Sequence, residues 1–345
     1  MIVLGIESSC DETAVALIER GTTNRVIHEE IKSQIPLHAI YGGIVPEIAS
    51  RNHYEVIDLL AKNVLEKSAC KPGDVELLAV TKGPGLIGSL LVGLSFAKGW
   101  SISQKIPLVG VDHLQAHIEA AHISAEEIKH PLLALVVSGG HTSLFFQEGR
   151  FSGKTIAKTR DDAAGEVLDK AAKYFSLGYP GGPLLERIAL RAEKNTFSFS
   201  MPRMTDGSND FSFSGYKTAL LRLAAEEKIN SQSEAFPDLI ASFVNDICDY
   251  LVSKTIIAAQ NLGCRTVVVS GGVSRNTILR KKFLLAAEKD ELRLFMPEPA
   301  YCTDNASMVA WLGYEMFRAF PDYNYHDRNL NCYARIQGKG KQKHR

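Results

Sequence analysis

The sequence is short of paired cysteines, of net charge and of long apolar runs, and each shortage removes a class of protein. Its six cysteines (Cys10, Cys70, Cys248, Cys264, Cys302, Cys332) are scattered, with no Cys-x-x-Cys pair. That argues against a disulfide framework and a thiolate metal site, and suits a reducing compartment. Lysine plus arginine equals aspartate plus glutamate at 39 each. No global field therefore draws the chain toward nucleic acid or membrane, and any such contact needs a local patch. No stretch approaches the ~20 apolar residues that span a bilayer, and no basic leader precedes the first apolar run. A cytoplasmic protein is expected. The motif GxxxxGK[ST] is missing too, which excludes a P-loop nucleotide site.

What is present describes a globular protein of 345 residues, 45% hydrophobic and 23% charged, long enough for two domains. Two patterns each occur twice. An apolar strand, IVLGI, runs into the polar turn Glu7–Thr13 and then a second strand, AVALI. Farther on LLALVV runs into Ser138-Gly139-Gly140-His141-Thr142 and then SLFF. The second pattern is a strand, a glycine turn and a helix: Leu77–Val80 into Gly83-Pro84-Gly85-Leu86-Ile87-Gly88, and Thr266–Val269 into Ser270-Gly271-Gly272-Val273-Ser274-Arg275-Asn276. The repetition predicts two similar α/β lobes with a central cleft. Glycine turns at strand ends beside helix N-termini can close bare N–H groups on a phosphate.

Between these patterns lies IPLVGVDHLQAH, a short strand ending on Asp112 and a helix carrying His113 and His117. Residues four apart share one helix face, so both imidazoles can reach one metal ion, whereas His122 lies on roughly the opposite face. A pair is not a site, and a third ligand must come from elsewhere. The same region holds a near match to a dinucleotide fingerprint: Gly83–Gly88 fits GxGxxG and the next strand ends on Asp112. A hairpin precedes that unit and the histidine pair follows at once, and neither belongs to the dinucleotide scheme.

Other segments read more plainly. Asp161-Asp162 read as the N-cap of a helix carrying Glu166, Asp169, Lys170 and Lys173, where Asp169–Lys173 has the spacing of an exposed ion pair. Asp238–Gln260 is amphipathic and reads as a core helix. In AYCTDN, Thr303 or Asp304 reads as the N-cap of the helix that runs to about Phe317. The basic tail Lys339, Lys341, Lys343, His344 and Arg345 reads as a solvated end.

Taken together, the motifs GIESSCDET, YGGIVPEIASR, GPGLIGSLLVG, VDHLQAH, VVSGGHT, AGEVLDKAA, YPGGP, DFSFSGYKTA, SGGVSRN and YCTDNASM resemble one family. It is the bacterial TsaD-type tRNA N6-adenosine threonylcarbamoyltransferases, once labelled O-sialoglycoprotein endopeptidases. The resemblance covers nearly all of residues 1–318. It implies the actin-like, Hsp70-like, sugar-kinase-like (ASKHA) α/β fold, with an N-terminal lobe over residues 1–110 joined by a returning segment over 305–345. Residues 111–304 would then form a C-terminal lobe carrying the metal and adenylate sites.

The resemblance also implies roles. His113, His117 and Asp304 are expected to bind one divalent metal, Fe(II), with Zn(II) as the alternative. Val136, Val137, Ser138, Gly139, Gly140, Asp169, Gly182, Glu186 and Asn276 are expected to hold the donor, threonylcarbamoyl-AMP. Glu186 departs from many relatives, which carry Asp there. Asp11 and Glu12 are the candidate catalytic carboxylates, from position alone. The implied partners are tRNA, a paralogue of the same fold (TsaB type) and a small ATPase (TsaE type), with no membrane. The implied reaction moves the threonylcarbamoyl group to N6 of adenosine 37 in tRNAs reading ANN codons and releases AMP. A metallopeptidase would want HExxH, but Leu114 follows the first histidine. An ATPase or kinase of the same fold would lack the His–His–Asp set.

Overall fold

In this computed structural model all residues are described except 126, 195, 201–203, 205, 328 and 335–345. The basic tail from Lys339 onward therefore lies outside the described residues. In chain order the first elements are β1 (Ile2–Glu7), β2 (Glu12–Glu19), β3 (Arg25–Ser33), α1 (Ile35–Ala39), α2 (Pro46–Lys67), β4 (Leu77–Gly83), α3 (Ile87–Gln104), β5 (Leu108–Asp112), α4 (His113–Glu119) and α5 (Ala121–Ser124). Then come β6 (Leu132–Val137), β7 (Thr142–Gly149), β8 (Ser152–Lys158), α6 (Ala164–Tyr174), α7 (Gly181–Ala189), α8 (Ser214–Glu226), α9 (Phe236–Asn261), β9 (Thr266–Ser270), α10 (Thr277–Lys289), β10 (Arg293–Phe295) and α11 (Ala306–Ala319).

Two compact units divide these elements: Met1–Ser124 with Asp304–Arg345, and Ala125–Thr303. The first sheet has the order β3-β2-β1-β4-β5 and the second β10-β9-β6-β7-β8. In each, three consecutive strands pair antiparallel and two later strands add in parallel beside the first. The duplication expected from the repeated hairpins and glycine turns is thus present strand for strand, and each unit gains a third antiparallel strand (β3, β8).

In the first unit, alternation along β1 and β2 separates large from small side chains. Leu4, Ile6, Val15 and Leu17 pack with Ile57, Leu60 and Val64 of α2 and with Leu94 and Ala97 of α3. Gly5, Ala14 and Ala16 turn the other way and let the start of α11, at Ala306, come close. Both faces of the sheet are therefore covered, and each fully buried Leu or Ile contributes about 1.5–3 kcal/mol. The second unit buries Leu133, Leu135 and Val137 of β6 against α6 and the long helix α9, whose Leu239, Phe243, Ile247 and Leu251 are all in the core. The amphipathic reading of that helix holds.

The expected boundary at residue 110 falls inside β5, which pairs with β4 from Leu78↔Leu108 to Gly83↔Asp112. His113 and His117 follow β5 directly and so belong to the first unit, not to the lobe assigned residues 111–304. Among the described residues no helix is long and apolar enough to cross a membrane.

Candidate active site

The histidine pair stands on α4, a helix of seven residues fixed at its start by Asp112. Asp112 Oδ1 accepts from the N–H groups of Leu114 (2.9 Å) and Gln115 (3.0 Å), satisfying donors that have no partner inside the helix. His113 and His117 then lie one turn apart, ring centroids 4.6 Å from each other, 4% and 0% exposed. Asp304 comes from the start of the returning segment. Its Oδ1 lies 3.1 Å from His117 Nε2 and 3.5 Å from His113 Nε2. One ligand atom from each of the three falls within 4.8 Å of the others. Metal–ligand bonds of about 2.0–2.2 Å fit a set of that spread.

Asp304 is not the cap of the helix that follows it. Asn305 takes that place, its side chain accepting from Met308 N at 2.8 Å. The carboxylate of Glu29 on β3 accepts from Ala306 N (2.6 Å) and Ser307 N (2.9 Å). With those donors satisfied by others, Asp304 is left to face the histidines. The capping expectation for Thr303 or Asp304 is corrected by one residue.

Sequence reasoning missed Glu7. It ends β1, is 0% exposed, and accepts from Thr81 Oγ1 (2.6 Å) and Ser9 N (2.5 Å). Its Oε2 lies 3.1 Å from His113 Nδ1. A carboxylate behind an imidazole fixes which ring nitrogen points forward and raises its basicity. Burial by itself disfavours the His113 cation, but Glu7 and Asp304 outweigh it and lift the imidazole to about 9. The signal in the sequence was a lone charge closing an otherwise apolar strand.

Glu12 opens β2, paired with Ser33, and so leaves the turn in which it was expected. Burial, then the charges of Asp304, Asp11 and Glu7, push its carboxyl to about 9. Asp11 stays in the turn and its carbonyl accepts from Gln34 N at 2.9 Å.

The residues expected to hold the donor are all in the second unit, and hydrogen bonds tie Ser138, Asp169, Glu186 and Asn276 to the turns and helix starts beside them. Ser138 to Gly140 follow β6, with Ser138 N donating to His141 O (2.7 Å) and Gly165 N to Ser138 O (3.3 Å). Space is open where a side chain on Gly139 or Gly140 would sit. Gly271 lies against the backbone of Val137, so close that its own Cβ would come 2.8 Å from the Val137 carbonyl carbon. The turn before α10 is thereby held beside the turn after β6. Asp169 accepts from Gly181 N at 2.6 Å at the start of α7. Burial raises its carboxyl to about 6 despite the N–H groups of Gly181 and Gly182. Glu186, on the same helix, accepts from Thr277 N at 2.7 Å, and Asn276 Oδ1 caps α10 through Leu279 N at 3.0 Å.

Two smaller expectations change here. Asp169 is no exposed partner of Lys173, since it caps α7. Asp161 does not cap α6: its carboxylate accepts from Phe213 N, Ser214 N and the hydroxyls of Ser212 and Ser214. The near-match GxGxxG turn is also filled by the protein itself. A side chain on Gly85 would come 2.9 Å from Ser9 Cβ, and on Gly83 2.9 Å from the ring of Tyr333. Asp112, the acid that a ribose would need, is taken up as the cap of α4.

The duplicated sheets place the chain in the actin-like, sugar-kinase-like fold class. ROK hexokinase from Thermus thermophilus matches 92% of this chain and all of its own, with a TM-score of 0.51 and 12% identity. The sequence is more specific. The family model TsaD, tRNA N6-adenosine threonylcarbamoyltransferase, matches residues 25–311. The relative of that name from Syntrophus aciditrophicus is 47% identical over 313 residues, 91% of each chain. That from Thermosipho africanus is 42% identical over 318 residues, 92% of this chain and 95% of its own. The chain belongs to the tRNA N6-adenosine threonylcarbamoyltransferase family and is a transferase.

Proposed function

We propose that the chain transfers a threonylcarbamoyl group from threonylcarbamoyl-AMP to N6 of adenosine 37 in tRNAs that read ANN codons. The observation that carries the reading is the convergence of His113 and His117 on one oxygen of Asp304 in a chain of this family. Two histidines and one carboxylate are the donor set of Fe(II) sites that keep open positions, with Zn(II) as the alternative. A divalent ion held by His113, His117 and Asp304 would act as a Lewis acid, polarising an oxygen brought to it.

The protein's own groups do the rest. The Ser138–Gly140 turn is assigned the donor phosphate, its N–H groups approaching through the open space at Gly139 and Gly140. Asp169, Gly182, Glu186 and Asn276 are assigned the adenosine. In the reaction the N6 amine bonds to the carbamoyl carbon, the carbon–oxygen bond to phosphate breaks, and AMP leaves. The amine proton must go to a base, and an exocyclic adenine amine is a weak nucleophile that gains most from positioning. Asp11 and Glu12 are the candidates. With a carboxyl near 9, Glu12 carries its own proton at neutral pH. It can serve only when positive charge nearby offsets Asp304, Asp11 and Glu7.

A metallopeptidase of the HExxH kind carries its base directly after the first histidine. Leu114 occupies that place and is buried in the core. The partners assigned are tRNA, a paralogue of the same fold and a small ATPase. The test is to incubate the chain with threonine, bicarbonate, ATP, the adenylate-forming enzyme, those partners and unmodified tRNA, then digest the tRNA to nucleosides. Threonylcarbamoyladenosine that appears only when the chain is present supports the reading. Its absence, with the donor adenylate detected in the mixture, contradicts it.

A further inference from the structure

The described residues beyond α11 return across the first unit and bring Tyr333 next to the helix of the histidine pair. Leu108 N donates to Tyr325 O (2.9 Å), Lys98 Nζ to Leu330 O (2.6 Å) and Tyr333 N to Lys82 O (3.0 Å). Leu330 and Cys332 pack on the apolar core under β1 and β4. The Tyr333 ring lies over Gly83, at the end of β4, where only a residue without Cβ leaves room for it. From there its hydroxyl donates to Asp112 Oδ2. The other oxygen of the same carboxylate caps Leu114 and Gln115, so both oxygens of Asp112 are committed, one to the helix and one to the tyrosine.

We propose that Tyr333 is a positioning residue for the metal centre, setting the start of α4 through Asp112 so that His113 and His117 meet Asp304. Asp112 is next to His113 in the chain, and a small rotation of its carboxylate moves the cap and with it the first turn. A second hydrogen bond to Oδ2 restricts that rotation. The phenol arrives from a part of the chain some 220 residues away, over a glycine that admits it, and so couples the returning segment to the histidines.

This inference rests on the metal reading of His113, His117 and Asp304. The experiment therefore begins with wild-type protein stripped of metal and titrated with Fe(II) under anaerobic conditions, and separately with Zn(II), against a competing chelator. A wild type that takes up neither ion overturns the metal reading itself. With uptake established, Tyr333→Phe keeps the ring over Gly83 and removes only the hydroxyl. Partners that orient a ligand directly are worth about 10–100-fold in affinity. One step farther back, Tyr333→Phe is expected to weaken binding by about threefold to tenfold at an unchanged melting temperature.

In an Asp112→Ser background, where a shorter side chain keeps a capping oxygen but does not extend to the phenol, the same change should have little further effect. The amides of Leu114 and Gln115 should also exchange faster with solvent in metal-free Tyr333→Phe protein. Wild-type metal affinity in Tyr333→Phe, an equal loss in both backgrounds, or unchanged amide exchange would each overturn the positioning role.

Discussion

Gly5 of β1 and Ala306 at the start of α11 lie in direct contact: a methyl on Gly5 would overlap the Ala306 carbonyl oxygen and come 2.9 Å from Ala310 Cβ. About 300 residues separate the two in sequence. Their contact brings Asp304 to the strand that carries Glu7, two residues along from Gly5. The prediction is that Gly5→Ala destabilises the protein by about 1–3 kcal/mol, as overpacking of a tight interior does, and lowers metal affinity as well. Urea unfolding and a metal titration check the two effects. A loss of stability with wild-type metal affinity would separate the contact from the site.

Glu7→Gln tests the carboxylate behind His113. Glutamine keeps the volume but offers one acceptor where Glu7 now faces Thr81, Ser9 and His113. Metal affinity should fall about 10–100-fold, the usual effect of losing such a partner. Chelator competition on the folded variant gives the number, and an affinity within twofold of wild type would remove Glu7 from the account.

Gly139→Val tests the donor turn. A side chain there meets no atom within 4 Å of its Cβ, so the variant should fold with a melting temperature close to wild type. It would, however, fill the space assigned to the donor phosphate. Binding of a non-hydrolysable adenylate analogue, measured by calorimetry, should be lost. Wild-type affinity for that analogue would move the donor elsewhere.

Asp169 gives a pH test with a definite sign. Its carboxyl is raised from 3.8 to about 6 in the folded protein, so the folded state holds the proton more tightly than the unfolded chain. This group therefore favours folding when protonated, and the contribution fades as pH rises through about 6. Asp169→Asn keeps an oxygen for Gly181 N and removes the titration. Relative to wild type, the variant should gain stability between about pH 4 and pH 7 in urea unfolding. The same difference at both values would show that Asp169 titrates normally.

The sequence was most informative where side chains repeat with a period. The apolar runs of β1, β2, β6 and β9 and the face of α9 announced themselves, and the doubled hairpins and glycine turns foretold the doubled sheet. It was least informative at the edges. β3 (RVIHEEIKS) and β8 (SGKTIAK) are charged and, Ala157 apart, carry no buried residue, as edge strands that avoid mispairing tend to be, so no apolar alternation betrayed them. His113 and His117 were visible from local spacing. Asp304, by contrast, came through the family resemblance, because its own neighbourhood reads as a helix cap. Only the contacts of Asn305 and Glu29 in three dimensions free it from that role. The boundary at residue 110 failed for a related reason, since pairing with β4 keeps β5 and the histidines in the first unit.

Asp304→Asn tests the central claim most directly. Because Asn305 and Glu29 already cap α11, the substitution should change the unfolding free energy of the metal-free protein by much less than the about 1 kcal/mol that a lost cap costs. Elemental analysis of the purified variant is the measurement. The account predicts one bound divalent metal per chain in the wild type, its loss in the variant, and loss of transfer with it. A variant that keeps one metal per chain and the wild-type rate would contradict the account at its centre.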